Sequence, residues 1–338
     1  MILAIRNEAS FIQRTLTAIL QQDYPHSLME LLIADGQSTD ATRETICEVV
    51  NRHPQALPVK VIDNPGRIVS PGLNAALAAA RGEVIVRIDG HTIIEPGYVR
   101  ECVEALKRSG ADNVGGRMDP VGTSAFGKAV ALATSSPFGV GGARFHYSNR
   151  EEWVDTVYLG CWPRAVFESI GCFDEEQVRN QDDEFNYRLR EAGGRVLLSP
   201  AIRSQYFNRG TLKSLWRQYF EYGLWKIRVM QKHPKQMQWR QFVPAAFVLG
   251  LPMLAIAAVL LPAARLLLLS VLVLYVSAAL FAAFRVSSKA QPLIPLVALV
   301  FAVLHVSYGS GFLRGLVRFW NRWGSDPKLS IPKLGSLT

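Results

Sequence analysis

Four short stretches of this sequence carry residues whose types and spacing could do chemistry. In Arg87-Ile88-Asp89-Gly90-His91, Asp89 and His91 stand one residue apart just after the apolar run Val84–Ile88. An oxygen and an imidazole ligand so placed can both face a divalent ion at a strand tip, although an isolated Asp-Gly-His is usually a turn. Asn180-Gln181-Asp182-Asp183-Glu184-Phe185-Asn186 opens a helical pattern. Acidic residues complement a helix N-terminus, but three in a row exceed what capping needs. A carboxylate directed from here into a cleft can act as a general base. In Asp35-Gly36-Gln37-Ser38-Thr39-Asp40, Asp35 ends a strand, Gly36 permits a tight turn, and Thr39 or Asp40 caps the next helix. Alone, that is a common strand–turn–helix signal. Arg217-Gln218 with Trp225-Lys226 could clamp a diphosphate and stack on a sugar or base, and equally could anchor a membrane surface.

These residues need elements to position them. Through about residue 120 the chain alternates apolar runs with helical periodicity: Ile2–Ile5, then a helix over Ala9–Gln22; Leu31–Ala34, then Ala41–Val50; Val59–Ile62, then Pro71–Ala80; and Val84–Ile88. Such alternation predicts a mostly parallel sheet between helices. Ligands then bind beyond the carboxyl ends of the strands, where Asp35 and Asp89 fall. The opening Met1–Glu8 reads as half of a buried strand entering a loop, so the natural start is expected a few residues upstream. The stretch Pro120–Tyr147 is rich in Gly and Ser and reads as mobile loops over the site. A strand (Trp153–Leu159), two helices (Arg164–Ile170, Asp182–Ala192) and a strand (Val196–Leu198) follow.

The composition, 49% hydrophobic and 19% charged, is more apolar than a soluble domain. The excess lies in Phe242–Leu261, Leu266–Phe284 and Leu293–Leu313, each long enough to cross a hydrocarbon core. Ahead of them, Trp216, Tyr219, Phe220, Tyr222, Trp225 and Trp239 alternate with Lys and Arg, the composition of an amphipathic interfacial helix. The division expected is a catalytic domain over 1–208, an interfacial region over 209–241, membrane segments over 242–313 and a basic tail over 314–338. Three crossings would put Arg314, Arg318, Arg322, Lys328 and Lys333 opposite the catalytic domain, against the positive-inside tendency. An interfacial first segment followed by a hairpin would return them to its side. The net charge of +9 comes without a nucleic-acid-binding module and points to anionic lipid. The four cysteines have neither metal nor redox spacing, which suits a reducing compartment.

Taken as an ordered set, Ile5-Arg6-Asn7-Glu8, Asp35–Asp40, Asp89-Gly90-His91 and Asn180–Glu184 resemble the inverting family 2 glycosyltransferases with the GT-A fold, and within them the ExoA-like succinoglycan glucosyltransferases. Phe138-Gly139-Val140-Gly141, Val154–Val157, Asn186–Leu189 and Gln218-Tyr219 with Tyr222–Lys226 are similar to that subgroup. The resemblance implies a membrane-anchored enzyme at the cytoplasmic face of the inner membrane. Its donor would be a nucleotide sugar, UDP-linked and with glucose by analogy, and its acceptor lipid-linked or a glycan precursor, with no nucleic acid involved.

The resemblance also implies roles. Asp35 meets the base or ribose, with Arg6, Asn7 and Glu8 as the opposite wall and Arg67 and Asn74 lining the donor pocket. Asp89 and His91 hold Mg2+ or Mn2+ and the donor diphosphate, and Asp182 is the catalytic base. Asp183, Gln218, Trp225 and Lys226 serve the acceptor or diphosphate side. His91 replaces the family's second metal-motif Asp, and Gln181 replaces the Glu before the base. The Gln–Trp spacing departs from the processive pattern and argues for single-sugar transfer. A nucleotidyltransferase would also use strand-tip carboxylates, but no Gly-rich phosphate loop followed by Arg and Lys stands near the N-terminus. An inactive membrane scaffold would fit His91 and Gln181, while Asp35, Asp89 and Asp182 argue against it.

Overall fold

The computed structural model describes residues 1–53, 57–208, 210–288, 290–324 and 331–337, so Lys328 lies outside the described residues. In chain order the elements are β1 (Ile2–Ile5), α1 (Ile12–Leu20), β2 (Leu31–Asp35), α2 (Thr42–Arg52), β3 (Val59–Asp63), α3 (Val69–Ala79), β4 (Val84–Asp89), β5 (Thr92–Ile94), α4 (Tyr98–Ser109) and β6 (Asn113–Val121). Then come α5 (Ala125–Thr134), α6 (Pro137–Val140), β7 (Glu152–Val154), β8 (Tyr158–Pro163), α7 (Arg164–Ile170), α8 (Gln181–Glu191) and β9 (Val196–Phe207). Four long helices close the chain: α9 (Leu212–Lys232), α10 (Val243–Leu260), α11 (Pro262–Val286) and α12 (Ile294–Arg318). The chain divides into two compact units, Met1–Asp119 with Tyr147–Phe207 and Pro327–Thr338, and Pro120–His146 with Asn208–Asp326.

The first unit is built on a nine-stranded sheet in the order β3-β2-β1-β4-β8-β6-β9-β5, with β7 on β9. The expected parallel pairing holds only for β3, β2, β1 and β4. From β4 onward antiparallel pairs join β8 to β4 and β6, and β9 to β5 and β7. The sheet is therefore mixed, not mostly parallel. A parallel neighbour needs a long crossover, and α1, α2 and α3 supply one between each of the first four strands. Only Gly90 and His91 separate β4 from β5. The core beneath the parallel half is Leu3, Ile5, Ile33 and Ile88 against Ile12, Leu16 and Ile19 of α1 and Tyr98 and Cys102 of α4.

Two strand expectations change. Trp153–Leu159 is two strands, β7 and β8, parted at Asp155–Val157. Val196–Leu198 extends to Phe207 because Arg203 and Gln205 hide the apolar alternation while Ile202 and Ser204 remain buried.

In the second unit, the stretch expected to be loops holds α5 and α6. Its serines are caps: Ser124 Oγ accepts from Gly127 N–H and Ser136 Oγ from Gly139 N–H. Ala129, Val130 and Ala133 pack into a cluster with Val297, Val300, Phe301 and Leu304 of α12. Small residues that look loop-like in sequence here allow close helix packing.

The helix α9 lies along α12, with Leu224, Ile227 and Met230 beside Phe312 and Phe319. The backbones approach closely through glycines. A Cβ on Gly311 would lie 2.0 Å from Phe220 O, and one on Gly223 would lie 2.1 Å from Tyr308 O. Lys226, Arg228 and Lys232 are buried, whereas Trp239 and Trp320 are 80% and 73% exposed. Among the described residues three helices, Val243–Leu260, Pro262–Val286 and Gln291–Arg318, are long and apolar enough to cross a membrane. His305 of α12 is bonded on both nitrogens: Nε2 to Phe138 O at 2.7 Å and Nδ1 to the Tyr275 hydroxyl at 2.9 Å. It thereby ties α6, α11 and α12 together.

The glycine contacts give a stability test in detergent. Gly311→Leu should cost roughly 1–3 kcal/mol or more by forcing α9 from α12. Gly250→Ala, whose new Cβ meets nothing within 4 Å, should leave the melting temperature unchanged or raise it. Equal melting of both variants would contradict this packing.

Candidate active site

Three loops leave the carboxyl ends of β1, β2 and β3 and interlock. Each holds a non-glycine residue in the left-handed region: Asn7 (φ 56°), Gln37 (φ 57°) and Arg67 (φ 60°). Such residues are strained and persist where surrounding bonds over-determine them. Asn7 Oδ1 accepts from Thr39 N–H at 2.8 Å, while Asn7 N–H donates to Ser38 Oγ at 2.9 Å and Glu8 N–H to Thr42 Oγ1 at 2.8 Å. Arg67 Nε donates to Gln37 Oε1 at 2.5 Å. Gly36 lies where the loops meet. A Cβ there would stand 3.1 Å from Arg67 O and 3.2 Å from both Ile5 O and Arg6 Cβ. Arg6, Asn7 and Arg67 are exposed along this edge. Asp35 is fully buried, accepts from Ser38 Oγ at 2.5 Å, and is paired to Arg43, which also reaches Asp63.

In register, Asp35 stands opposite Ile5 and Asp89 opposite Ala4, on the two strands flanking β1. With about 4.8 Å between strands, the backbones at these two positions are about 10 Å apart across the strand tips. That spacing suits a nucleoside at one end and its diphosphate at the other.

The turn after β4 is held tightly. A Cβ on Gly90 would meet Ile5 Cγ2 at 2.8 Å and Glu8 Cγ at 3.0 Å, and Thr15 Oγ1 donates to Gly90 O at 2.9 Å. Glu8, expected on the nucleotide, bonds His91 Nδ1 at 3.2 Å. An ionised carboxylate only accepts, so Glu8 holds a ring proton on Nδ1, and in the neutral ring the lone pair is then on Nε2.

Arg87, to which the sequence attached no role, is buried inside β4. Its Nε and Nη2 both reach Asp89 Oδ1 at 3.0 Å. Asp89 Oδ2 takes no hydrogen bond from a described residue. Burial works against the guanidinium charge, but Asp89 and then Asp182 outweigh it and raise the arginine's pKa. The signal that could have found it is a charge within Val84-Ile85-Val86-Arg87-Ile88, since arginine is seldom buried unpaired.

The acidic cluster divides by role. Glu184 is fully buried and pairs with Arg188 at 2.9 Å, and Arg188 Nη2 also donates to Cys172 O at 2.7 Å, so this pair is structural. Phe185 packs in an aromatic cluster with Trp162, Phe167 and Phe173, which fixes the first turn of α8. Asp182 and Asp183 are half-buried. Asp182 Oδ1 accepts from Asp183 N–H at 2.9 Å. Burial pushes the Asp182 carboxyl above its ordinary value; Arg87 pulls it down, and Asp183 and Asp89 push it up.

Asn74 is buried and its amide is engaged: Nδ2 donates to Phe173 O (2.9 Å) and Glu175 Oε1 (3.0 Å), and Oδ1 accepts from Phe173 N–H (2.9 Å). Ser70 Oγ donates to Gln177 O at 2.7 Å. Helix α3 thus clamps the loop that leads to Asp182. Gln218, Trp225 and Lys226 belong to the second unit. There Gln218 Nε2 donates to the Tyr222 hydroxyl at 3.0 Å, Trp225 lies 5.4 Å from Phe319, and Lys226 is buried. The structure therefore sets Asp89 on the buried Arg87, with Asp182 within reach of the same charge and Glu8 bonded to His91 beyond Gly90, and it lines Arg6, Asn7, Asp35 and Arg67 along the neighbouring edge.

Among the described residues no three His, Cys, Asp or Glu side chains converge as a metal cage. A free carboxylate oxygen on Asp89 and the Nε2 of His91 remain. Such a pair fits an ion that takes its other ligands from a diphosphate and water, the usual manner for Mg2+.

The sequence model of glycosyl transferase family 2 matches residues 1–162. The succinoglycan biosynthesis protein ExoA of Rhizobium meliloti (strain 1021) is 31% identical over 318 residues, covering 94% of each chain. The dolichyl N-acetyl-alpha-D-glucosaminyl phosphate 3-beta-D-2,3-diacetamido-2,3-dideoxy-beta-D-glucuronosyltransferase of Methanococcus voltae is 26% identical over 92% of this chain and 95% of its own. Among solved structures, the mannosyltransferase PcManGT from Pyrobaculum calidifontis, in complex with GDP-Man and Mn2+, superposes with a TM-score of 0.65 at 18% identity. That match covers 93% of this chain and 86% of the other, and shows a shared GT-A fold.

The environment of Asp182 has a stability consequence. Because its pKa is raised in the fold, the folded state favours the protonated acid, so ionised Asp182 opposes folding at neutral pH. That penalty disappears as pH falls through the raised pKa. Asp182→Asn should melt no lower than the parent at pH 7, with the gap closing in acid. A melting point several degrees lower at pH 7 would contradict this reading of the site.

Proposed function

The chain belongs to glycosyl transferase family 2 and is a glycosyltransferase, and on that premise we propose that it moves one sugar from a UDP-linked donor to a lipid-linked or polysaccharide-precursor acceptor, with inversion. The observation that carries this reading is that Asp89 at the strand tip pairs with the buried Arg87, while the helix-borne Asp182 lies within reach of the same charge.

Arg6, Asn7, Asp35 and Arg67 hold the nucleoside along the β1–β3 edge, and Asn74 acts by fixing the loop before Asp182. Asp89 and His91 receive the diphosphate. A divalent ion bound there would supply Lewis-acid stabilisation of the leaving group. The acceptor hydroxyl approaches the face of the anomeric carbon opposite the diphosphate. As its oxygen forms the new bond, the carbon–oxygen bond to the diphosphate breaks and Asp182 takes the hydroxyl proton. General base catalysis of this kind contributes on the order of 100–10,000-fold. The raised pKa of Asp182 suits a base that must accept a proton near neutral pH. One displacement inverts the anomeric centre.

The acceptor assignment draws on two relatives: one is named for succinoglycan biosynthesis, and the other bears a dolichyl phosphate sugar in its name. A lipid-linked acceptor also suits a chain with three long apolar helices. Gln218, Trp225, Lys226 and Asp183 are assigned to the acceptor or diphosphate side. The exposed Trp239 and Trp320 with Arg240, Arg318 and Arg322 would lie in the anionic headgroup layer of the cytoplasmic face. Glucose as the sugar rests on analogy with the ExoA-like group.

The test is turnover of a panel of nucleotide sugars with Mn2+, Mg2+ or chelator. A UDP-sugar should be consumed only with metal, and its product should carry the inverted anomer. Asp182→Asn should lower the rate about 100-fold or more while UDP affinity stays within about threefold. Asp89→Ala should lose metal-dependent UDP binding, and His91→Asp should stay active with altered metal preference. Full activity in Asp182→Asn would move the base elsewhere, and no turnover of any donor would favour a scaffold. Carbonate-resistant membrane association, with Arg318→Cys labelled only from the cytoplasmic side, is expected; extraction or outside labelling would overturn the placement.

A further inference from the structure

Arg87 is more than a counter-ion. In an apolar strand a buried guanidinium is costly unless its donors are used. Here they are used unevenly. Nε and Nη2 converge on one oxygen of Asp89, and Nη1 is buried with no hydrogen-bond partner among the described residues. An unmade bond on a buried donor is an exception that calls for a role. The second carboxylate in reach of its charge is Asp182, whose Oδ2 takes no hydrogen bond from a described residue. A planar guanidinium can serve two carboxylates from opposite edges, which a lysine cannot.

We propose that Arg87 is a positioning residue shared by the two halves of the transfer: it holds Asp89 by one oxygen so that the other faces the donor diphosphate, and it offers Nη1 to Asp182 as the acceptor hydroxyl arrives. This rests on the reading of Asp89 as donor-side ligand and Asp182 as base. It adds that one side chain couples them. Arg87 touches no reacting atom; it sets the orientation of those that do.

The test is a double-mutant cycle in the full chain in detergent. The rate is measured as hydrolysis of the UDP-sugar the parent turns over fastest, and binding as calorimetry of UDP with Mn2+. Arg87→Gln should lower kcat about 30-fold in the parent but less than about threefold in Asp182→Asn, whose base is already lost. Arg87→Lys keeps a charge beside Asp89 and should hold UDP affinity within about threefold, yet lose about tenfold in kcat for want of the fork. Equal losses from Arg87→Gln in both backgrounds, or full kcat in Arg87→Lys, would overturn the shared role. Should Arg87→Gln lose its cooperative melt, the lysine variant decides by its kcat against its UDP affinity. Retained activity in Asp182→Asn alone would instead strike the base assignment, so the two failures are distinguishable.

Discussion

A single ion pair buried in β4, Arg87 with Asp89, sets the geometry of the site. The guanidinium cannot leave the strand interior without exposing an unpaired carboxylate, and the carboxylate cannot turn away without stranding a buried charge. Asp182 adds its charge to the same group from a helix far along the chain. Everything that brings α8 to this point therefore matters for chemistry: the aromatic cluster around Phe185, the Glu184–Arg188 pair, and the clamp of Asn74 and Ser70 on the preceding loop.

The mixed sheet gives the two sides of the site different origins. Its parallel half presents three loops at adjacent strand tips, locked by Asn7, Ser38 and Thr39 and pinched around Gly36. That edge, cross-linked by these bonds, is where the proposed nucleotide would sit. Beyond β4 the strands turn antiparallel, and the chain enters α8 from the loop after α7. The second unit is organised by other means, close glycine contacts between α9 and α12 and the doubly bonded His305.

Much of this was legible in the sequence because it rests on local rules. The alternating strands and helices, the strand-tip positions of Asp35 and Asp89, the helix at Asp182 and the apolar tail all follow from periodicity and composition. What was hidden depends on tertiary pairing. Nothing local indicates that β8 runs antiparallel to β4 or that Glu8 reaches His91, whereas the spacing of Glu184 and Arg188 on one helix face does suggest their pair. The Gly- and Ser-rich stretch looked like loops because small residues serve flexibility and close packing alike; burial of Ala129 and Ala133 against α12 decides between them. Arg87 was visible as a charge in an apolar strand, but its use depends on a carboxylate that only the fold brings near.

The most direct measurement is an experimental structure of the full chain with UDP and Mn2+, read by the anomalous signal of the metal. One manganese peak should lie beside Asp89 and His91 Nε2 and share its remaining ligands with the diphosphate, with uracil between Asn7 and Asp35 and Asp182 facing the open side. A metal bound away from Asp89, or uridine held outside the β1–β3 edge, would contradict the site described here.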